Sequence, residues 1–339
     1  MAGNGSKTAV YTAIGANTIV AIAKGTAFAM TGSGAMLSEC LHSMADVGNQ
    51  ALLAVGMRNS ERPADPTHPE GYGKEAFIWS IISAVGMFFL GCGASIMHGI
   101  HALGDAHGAH ADPDAMRLNI GILLFALVIE GGCLLIAIRG LRADAKLQGQ
   151  SLREYLRRTD DPFGVAVLLE DSAAVLGVLM ALSAILLTQR TGHSEWDAIG
   201  SIAIGVLLGC VAVYLIAKNR SFLIGRAIDS EQAKRVLAVL ESDPAVRSVS
   251  RERGVVSGTK SFQYQADITF NGAHLARQCL AQTTSEQRDA ASASEENLNA
   301  FIEQLGEAMV DQMAAEVDRL EDVVREATPK AYDINLEPN

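Results

Sequence analysis

Aromatic residues are scarce in this 339-residue chain, at 5%, and the paired cysteines and histidines that staple small folds are missing. The five cysteines, Cys40, Cys92, Cys133, Cys210 and Cys279, are scattered without a CxxC. That spacing excludes a zinc finger and offers no disulfide framework, so they read as reduced packing residues. No HExxH occurs in the chain, which removes the commonest metallohydrolase signature. Basic charge is in deficit: the formal net charge is −11, an acidic balance that argues against nucleic acid as a partner. Much of that acid falls after residue 285, in a stretch that reads as soluble. No internal repeat is evident.

What the chain does have is apolar residues, 49% of the total, gathered into blocks. About 20 helical residues cross a bilayer, and blocks of that length run over residues 8–30, 34–57, 74–101, 116–138, 163–188 and 197–217. Six transmembrane helices are expected. The first block carries Lys24 and no small-residue cleavage site, so it is not read as a signal peptide. Basic residues collect in alternate connections. Arg58, Arg62 and Lys74 follow the second block, Arg139, Arg142, Lys146, Arg153, Arg157 and Arg158 follow the fourth, and Lys218, Arg220 and Arg226 follow the sixth. The opposite loops hold Arg190 alone. The positive-inside rule then places both termini in the cytoplasm, and the absence of a targeting extension leads to the expectation of a bacterial inner membrane.

After residue 218 the pattern turns polar, dividing the chain into a transmembrane domain, 1–218, and a cytoplasmic α/β domain, 219–339. A helix near 230–242 precedes alternating strands near 246–256 and 262–270. A Ser/Thr/Ala-rich connection follows. Leu298, Phe301, Ile302, Leu305, Met309, Met313, Leu320 and Val324 then recur at three- and four-residue spacing, the mark of a long amphipathic helix. Ser292 and Glu295 suit a capping box at its start, and "YDINLE" suits a last strand.

The chemistry is sought among ionisable residues inside the spans, because a charge at the bilayer centre costs about 2.5–3.5 kcal/mol on insertion scales. In "SECLHSMADVGNQALL" the residues Glu39, His42, Asp46 and Asn49 step by three, four and three, which keeps them on one helix face. His42 and Asp46, at i and i+4, can reach one ion, since imidazole and carboxylate are ligands for zinc and its neighbours. An interhelical hydrogen-bond seam would use the same residue types without metal. A second acid pair, Glu170 and Asp171, lies in the fifth block beside Ser172, Ala173 and Ala174, small residues that permit close helix approach. A salt bridge to Lys24, or a water-filled cavity, would also account for those acids. Glu130 in the fourth block is another buried acid, a proton relay or a partner for Lys24.

"TGSGAMLSECLHSMADVGNQ", "RPADPTHPEGYGKE" and "DPFGVAVLLEDSAAVLG" together resemble the cation diffusion facilitator family of metal transporters, and within it the zinc-transporter-nine-like branch. The resemblance covers nearly the whole chain. It implies a homodimer that moves Zn²⁺, or Mn²⁺, Co²⁺ or Fe²⁺, out of the cytoplasm in exchange for protons by alternating access. It also implies a C-terminal domain of metallochaperone type, used for dimerisation. Carried over by position, the metal ligands are His42, Asp46 and Asp171. The fourth ligand of the family falls at Val167, which cannot coordinate. Glu39, Asn49, Glu170 or water is then the substitute, and three protein ligands with water suffice for zinc. Asp65 and His68 match an accessory loop site of some relatives, against which stands a plain Pro/Gly-shaped loop. His98, His101, His107 and His110 form a weak metal-collecting patch or a set of solvated loop histidines. The domain's only histidine is His274, so a histidine-rich regulatory site is not expected. Two other classes compete: a non-transporting membrane sensor or scaffold, and an intramembrane metallohydrolase with Glu39 as base. No second catalytic histidine in any span supports the hydrolase, and no enzymatic activity is expected.

Overall fold

The computed structural model describes residues 4–31, 34–104, 113–193, 195–259 and 261–339. The chain divides into two compact units, Met1–Ile224 and Gly225–Asn339. The division falls after 224 and not 218, because the last helix of the first unit continues through Lys218 and Arg220 to Ile224.

In the first unit α1 (Asn4–Thr31) and α2 (Gly34–Ser60) are followed by α3 (Glu75–Gly86), a π-helical segment (Met87–Gly93) and α4 (Ala94–Gly104). Next come α5 (Pro113–Leu147), the short α6 (Leu152–Arg158), α7 (Pro162–Thr191) and α8 (Glu195–Ile224). Local chemistry sets several of these ends. Asp161 caps α7 by accepting from Phe163 N at 3.1 Å and Gly164 N at 3.2 Å, with Pro162 in the first turn. The same carboxylate accepts from the Ser6 hydroxyl of α1. Gly192 closes α7 in a left-handed conformation, φ 73°, as glycine does at helix ends.

Among the described residues, four helices are long and apolar enough to cross a membrane: Glu75–Gly104, Arg117–Leu147, Pro162–Thr191 and Glu195–Ile224. With 28 and 27 residues, α1 and α2 have the length, but Lys24 and the polar stripe of α2 dilute their apolarity. The third span, expected as one apolar block over residues 74–101, is interrupted by the π turn, where Gly91 lies against Leu208 and Cys92 against Gly209 of α8.

The core of this unit is aliphatic and small: Val10, Leu53, Ala166, Val167, Ala212 and Leu215 are each at most 1% exposed. Phe77 and Phe222 stack with centroids 4.6 Å apart. The outside is also apolar, with Ile22, Phe89, Val128 and Ile224 each more than 60% exposed. A surface so oily is a liability in water and is the surface a bilayer covers. Helix approach is close where side chains are absent: a Cβ at Gly56 of α2 would lie 2.4 Å from the Trp79 Cβ of α3.

In the second unit α9 (Ser230–Glu241) leads into β1 (Val246–Val256) and β2 (Phe262–Phe270). Then come α10 (Gly272–Gln282), α11 (Ser285–Ala291), α12 (Glu295–Ala327) and β3 (Ala331–Pro338). The sheet order is β1-β2-β3, antiparallel then parallel. A parallel neighbour needs a long crossover, here supplied by the three helices. Phe262, Tyr264, Ala266 and Ile268 alternate inward along β2, against Val236, Leu240, Leu320 and Val324 of the covering helices. Glu316 of α12, 4% exposed, accepts from Gln278 Nε2 at 3.1 Å and Arg319 Nε at 2.6 Å. Arg319 reaches on to Asp243 at 2.8 Å. Burial pushes the Asp243 carboxyl up, but Arg319 and the Ala245 N–H outweigh it and hold it below the usual range.

Two details differ from the sequence reading. The Ser/Thr/Ala-rich connection contains α10 and α11, and the expected Ser292/Glu295 box is not the start of α12. Ser294 caps that helix by accepting from Asn297 N at 3.2 Å, while a full capping box joins Thr284 and Gln287 at α11.

Gly56→Ala is expected to force α2 and α3 apart and lose about 1–3 kcal/mol, the usual range for overpacking a tight contact. A lowered thermal unfolding midpoint of the detergent-solubilised chain is the measurement.

Candidate metal transport site

The acids foreseen in the spans come from three helices. Asp46 of α2, Glu130 of α5 and Asp171 of α7 lie near enough for their charges to interact, and Glu170 feels both Asp46 and Asp171. Asp171 is 5% exposed, and its Oδ2 has no hydrogen-bond partner among the described residues. A buried carboxylate oxygen in that condition is costly and suits a cation. The backbone of α2 runs through Glu39 and His42, but their side chains lie outside the described residues. Among the described residues no three His, Cys, Asp or Glu side chains gather tightly enough to hold an ion.

The candidates for the missing ligand go different ways. Val167, one turn before Asp171, is fully buried in the apolar core. Glu170, turned about 100° from Asp171 by helix geometry, accepts a hydrogen bond from Gln50 Nε2 of α2 at 2.6 Å. The Ser83 hydroxyl of α3 also bears on that carboxylate. Asn49, 6% exposed, turns toward α3: its Oδ1 is 2.9 Å from where a Cβ at Gly86 would stand. The Ser83 hydroxyl donates to the Asn49 carbonyl at 3.4 Å. The polar stripe of α2 therefore splits, with Asn49 toward α3 and Gln50 toward α7. Gln50 was not singled out from the sequence, although it follows Asp46 by four residues, the spacing that shares a face. Lys24 is 3% exposed in α1.

The loop before α3 brings Asp65 and His68 together in a small bridge, with Asp65 N to His68 O at 3.2 Å and the reciprocal bond at 3.0 Å. Asp65 Oδ1 accepts from Thr67 N, Thr67 Oγ1 and His68 N at 2.9, 2.6 and 2.9 Å. Its Oδ2 accepts from the Tyr72 hydroxyl at 2.7 Å. Tyr72 packs against the His68 ring and under the Arg62 guanidinium, and Gly71 turns the chain at φ 74°. The Asp65 lone pairs are thus engaged by the loop itself. The Thr67 and Tyr72 hydroxyls and the His68 N–H hold this carboxyl well below the usual range. Of the outer histidines, His98 and His101 lie on α4, and the ring of His101 bonds the Met97 carbonyl at 2.8 Å. His107 and His110 lie outside the described residues.

A bundle that buries Glu130 of α5 and Asp171 of α7 within electrostatic reach of Asp46 of α2 is one observation; comparison with known proteins supplies the other. The family model for the cation efflux transmembrane domain matches residues 10–224. The chain belongs to the cation efflux family. Metal tolerance protein C4 of Arabidopsis thaliana is 39% identical over 98% of this chain and 73% of its own length. Mitochondrial proteins named proton-coupled zinc antiporter SLC30A9 are 40% identical in Xenopus laevis, over 92% of this chain, and 36% identical in Homo sapiens, over 97%. This chain spans only 56% and 58% of those antiporters' lengths. As a cation efflux protein it is an integral membrane protein, in keeping with its four strongly apolar helices.

Because its folded-state value is depressed, Asp65 stabilises the loop fully above the ordinary carboxylate range, and that effect is lost progressively as pH falls from there to the lower, folded value. The loop is therefore expected to hold its order down to the ordinary carboxylate range and to loosen gradually on further acidification. Asp65→Ala should speed amide exchange at Thr67 and His68 by about ten-fold, read by hydrogen–deuterium exchange at neutral pH.

Proposed function

We propose that this cation efflux protein is a proton-coupled exporter of divalent metal, Zn²⁺ foremost, and that His42, Asp46 and Asp171 are its transport ligands. The observation that carries the reading is the buried Oδ2 of Asp171, which has no hydrogen-bond partner among the described residues, within electrostatic reach of Asp46. The names of the zinc antiporter relatives support the cargo and the coupling. Carboxylates bind metal ionised and imidazole binds it neutral, so protons and metal compete for one set of groups. A six-span chain with both termini in the cytoplasm, as the distribution of Lys and Arg favours, would load metal from that side. Release outward would follow as protons replace it, and the neutralised site would return.

With Val167 in the core, Glu170 tied to Gln50 through Oε2 and turned about 100° from Asp171 by helix geometry, and Asn49 turned to α3, we assign the fourth position to water, although Glu170 Oε1 is likewise buried without a hydrogen-bond partner among the described residues. Fewer nitrogen ligands and more oxygen weaken discrimination against Mn²⁺, Co²⁺ and Fe²⁺. The loop of Asp65 and His68 is given a structural role, since its carboxylate is already saturated by the loop. Homodimerisation is assigned to the second unit, where the first half of α12 exposes Leu298, Ile302 and Val310 at 46%, 56% and 60%.

In proteoliposomes with an imposed pH gradient, Asp46→Ala and Asp171→Ala are each expected to reduce Zn²⁺ uptake and metal-driven proton flux to the level of empty vesicles. Undiminished flux in either variant would refute the ligand assignment. A chain ending at Ile224 should sediment in detergent as a monomer where the full chain is a dimer.

A further inference from the structure

Gln50 belongs to none of the ligand sets considered above, yet it is 1% exposed in a helix facing the middle of the bundle. Burying a primary amide is unfavourable unless it is bonded, and its Nε2 bonds Glu170 Oε2 at 2.6 Å. Gln50 stands one turn beyond Asp46 on the same face of α2, and Glu170 directly precedes Asp171 on α7. The bond therefore ties together the two helices that carry the acidic ligands, about 6 Å along α2 from Asp46. Elsewhere these helices have little to do with each other. α2 packs chiefly along α1 and α3, α7 packs along α5 and α8, and the two approach only over a short stretch. In a bilayer apolar packing gives weak control of helix separation, so a directional bond at the point of approach sets it.

The geometry points to Gln50 and Glu170 as a positioning clasp that fixes the separation of Asp46 and Asp171, and with it the size of cation the site accepts. The inference rests on the reading of Asp46 and Asp171 as ligands. It answers a need created by Val167. Where four protein ligands surround an ion, the cage itself discriminates; with three and a water, the spacing of the ligands has to be imposed from outside. Neither Gln50 nor Glu170 touches the metal in this scheme. They act through the helices they join, as outer-shell partners orient ligands in metal sites generally.

The test compares initial rates of Zn²⁺ and Mn²⁺ uptake across a concentration series, at a fixed pH gradient, in proteoliposomes of the full chain. The variants are Gln50→Leu, Glu170→Leu and the reciprocal pair Gln50→Glu with Glu170→Gln, in which the amide donates from the opposite helix. Each single variant is expected to raise KM for Zn²⁺ about ten-fold, the lower end of what losing an outer-shell partner does. kcat should stay unchanged, and the preference for Zn²⁺ over Mn²⁺ should fall. The reciprocal pair should recover both KM and preference, and because it retains the bond it remains informative if a leucine variant fails to fold. Wild-type KM and preference in the single variants, or a reciprocal pair no better than either single, would overturn the clasp. Asp171→Ala in the same vesicles separates the two ideas. Lost uptake there with unaffected Gln50 variants defeats the clasp alone, and retained uptake defeats the ligand reading beneath it.

Discussion

An ionisable group inside a bilayer has no water to turn to, and the organisation of the first unit follows from that constraint. Asp46, Glu130, Glu170 and Asp171 all sit where lipid would otherwise be, at a cost of about 2.5–3.5 kcal/mol each on insertion scales. The fold meets the cost by turning these residues inward, so that exposed positions such as Val128 and Phe89 stay apolar. It supplies a partner where one is available, as Gln50 does for Glu170. Where it supplies none among the described residues, as at Asp171 Oδ2, a place remains for a cation or a proton. Small residues make this arrangement possible, since Gly56 lets α2 lie close against Trp79 of α3 and Gly86 leaves the space that the Asn49 amide takes.

The two units were legible to different degrees, for reasons that lie in particular residues. The strand at 262–270 emerges directly from alternation, because one face of the sheet is covered and every second side chain must be apolar, whereas the neighbouring strand at 246–256 buries its residues mainly at its two ends and is irregular in register. α10 and α11 escaped because only Leu275, Cys279 and Ala291 of their side chains are buried, too few to mark a period. Their signal was in the caps, where Asn271 and Thr284 each begin a helix. Hydropathy located the apolar centres of the long helices but not their ends. α5 runs on to Leu147 through Arg139 and Arg142, since a helix that leaves the bilayer need not stop there.

At the site, sequence spacing named the acids but not what each one faces. Asn49 and Gln50 are adjacent amides in one polar stripe, and only the helices across from them separate a residue bonded to α7 from one pressed against α3. Val167 could be recognised as a non-ligand from its side chain alone, while its place in the core became visible only with packing. The identity of the surrounding membrane leaves no such trace, because bilayer thickness and apolarity shape a helix and the name of the organelle does not.

The π turn at Met87–Gly93 has a consequence for how the third span is aligned. A π turn accommodates an additional residue, so the part of the span beyond it is rotated by about 100° relative to an unbroken α-helix. With that offset Gly99 of α4 meets α8 so closely that a Cβ there would lie 2.8 Å from the Ala198 carbonyl and 2.6 Å from Ile202 Cγ1. Without it, a different face of α4 would be presented and Gly99 would swing out of the seam. The turn thus works as a phase adjuster within a single span: the half before it keeps register with α2, while the half after it keeps register with α8.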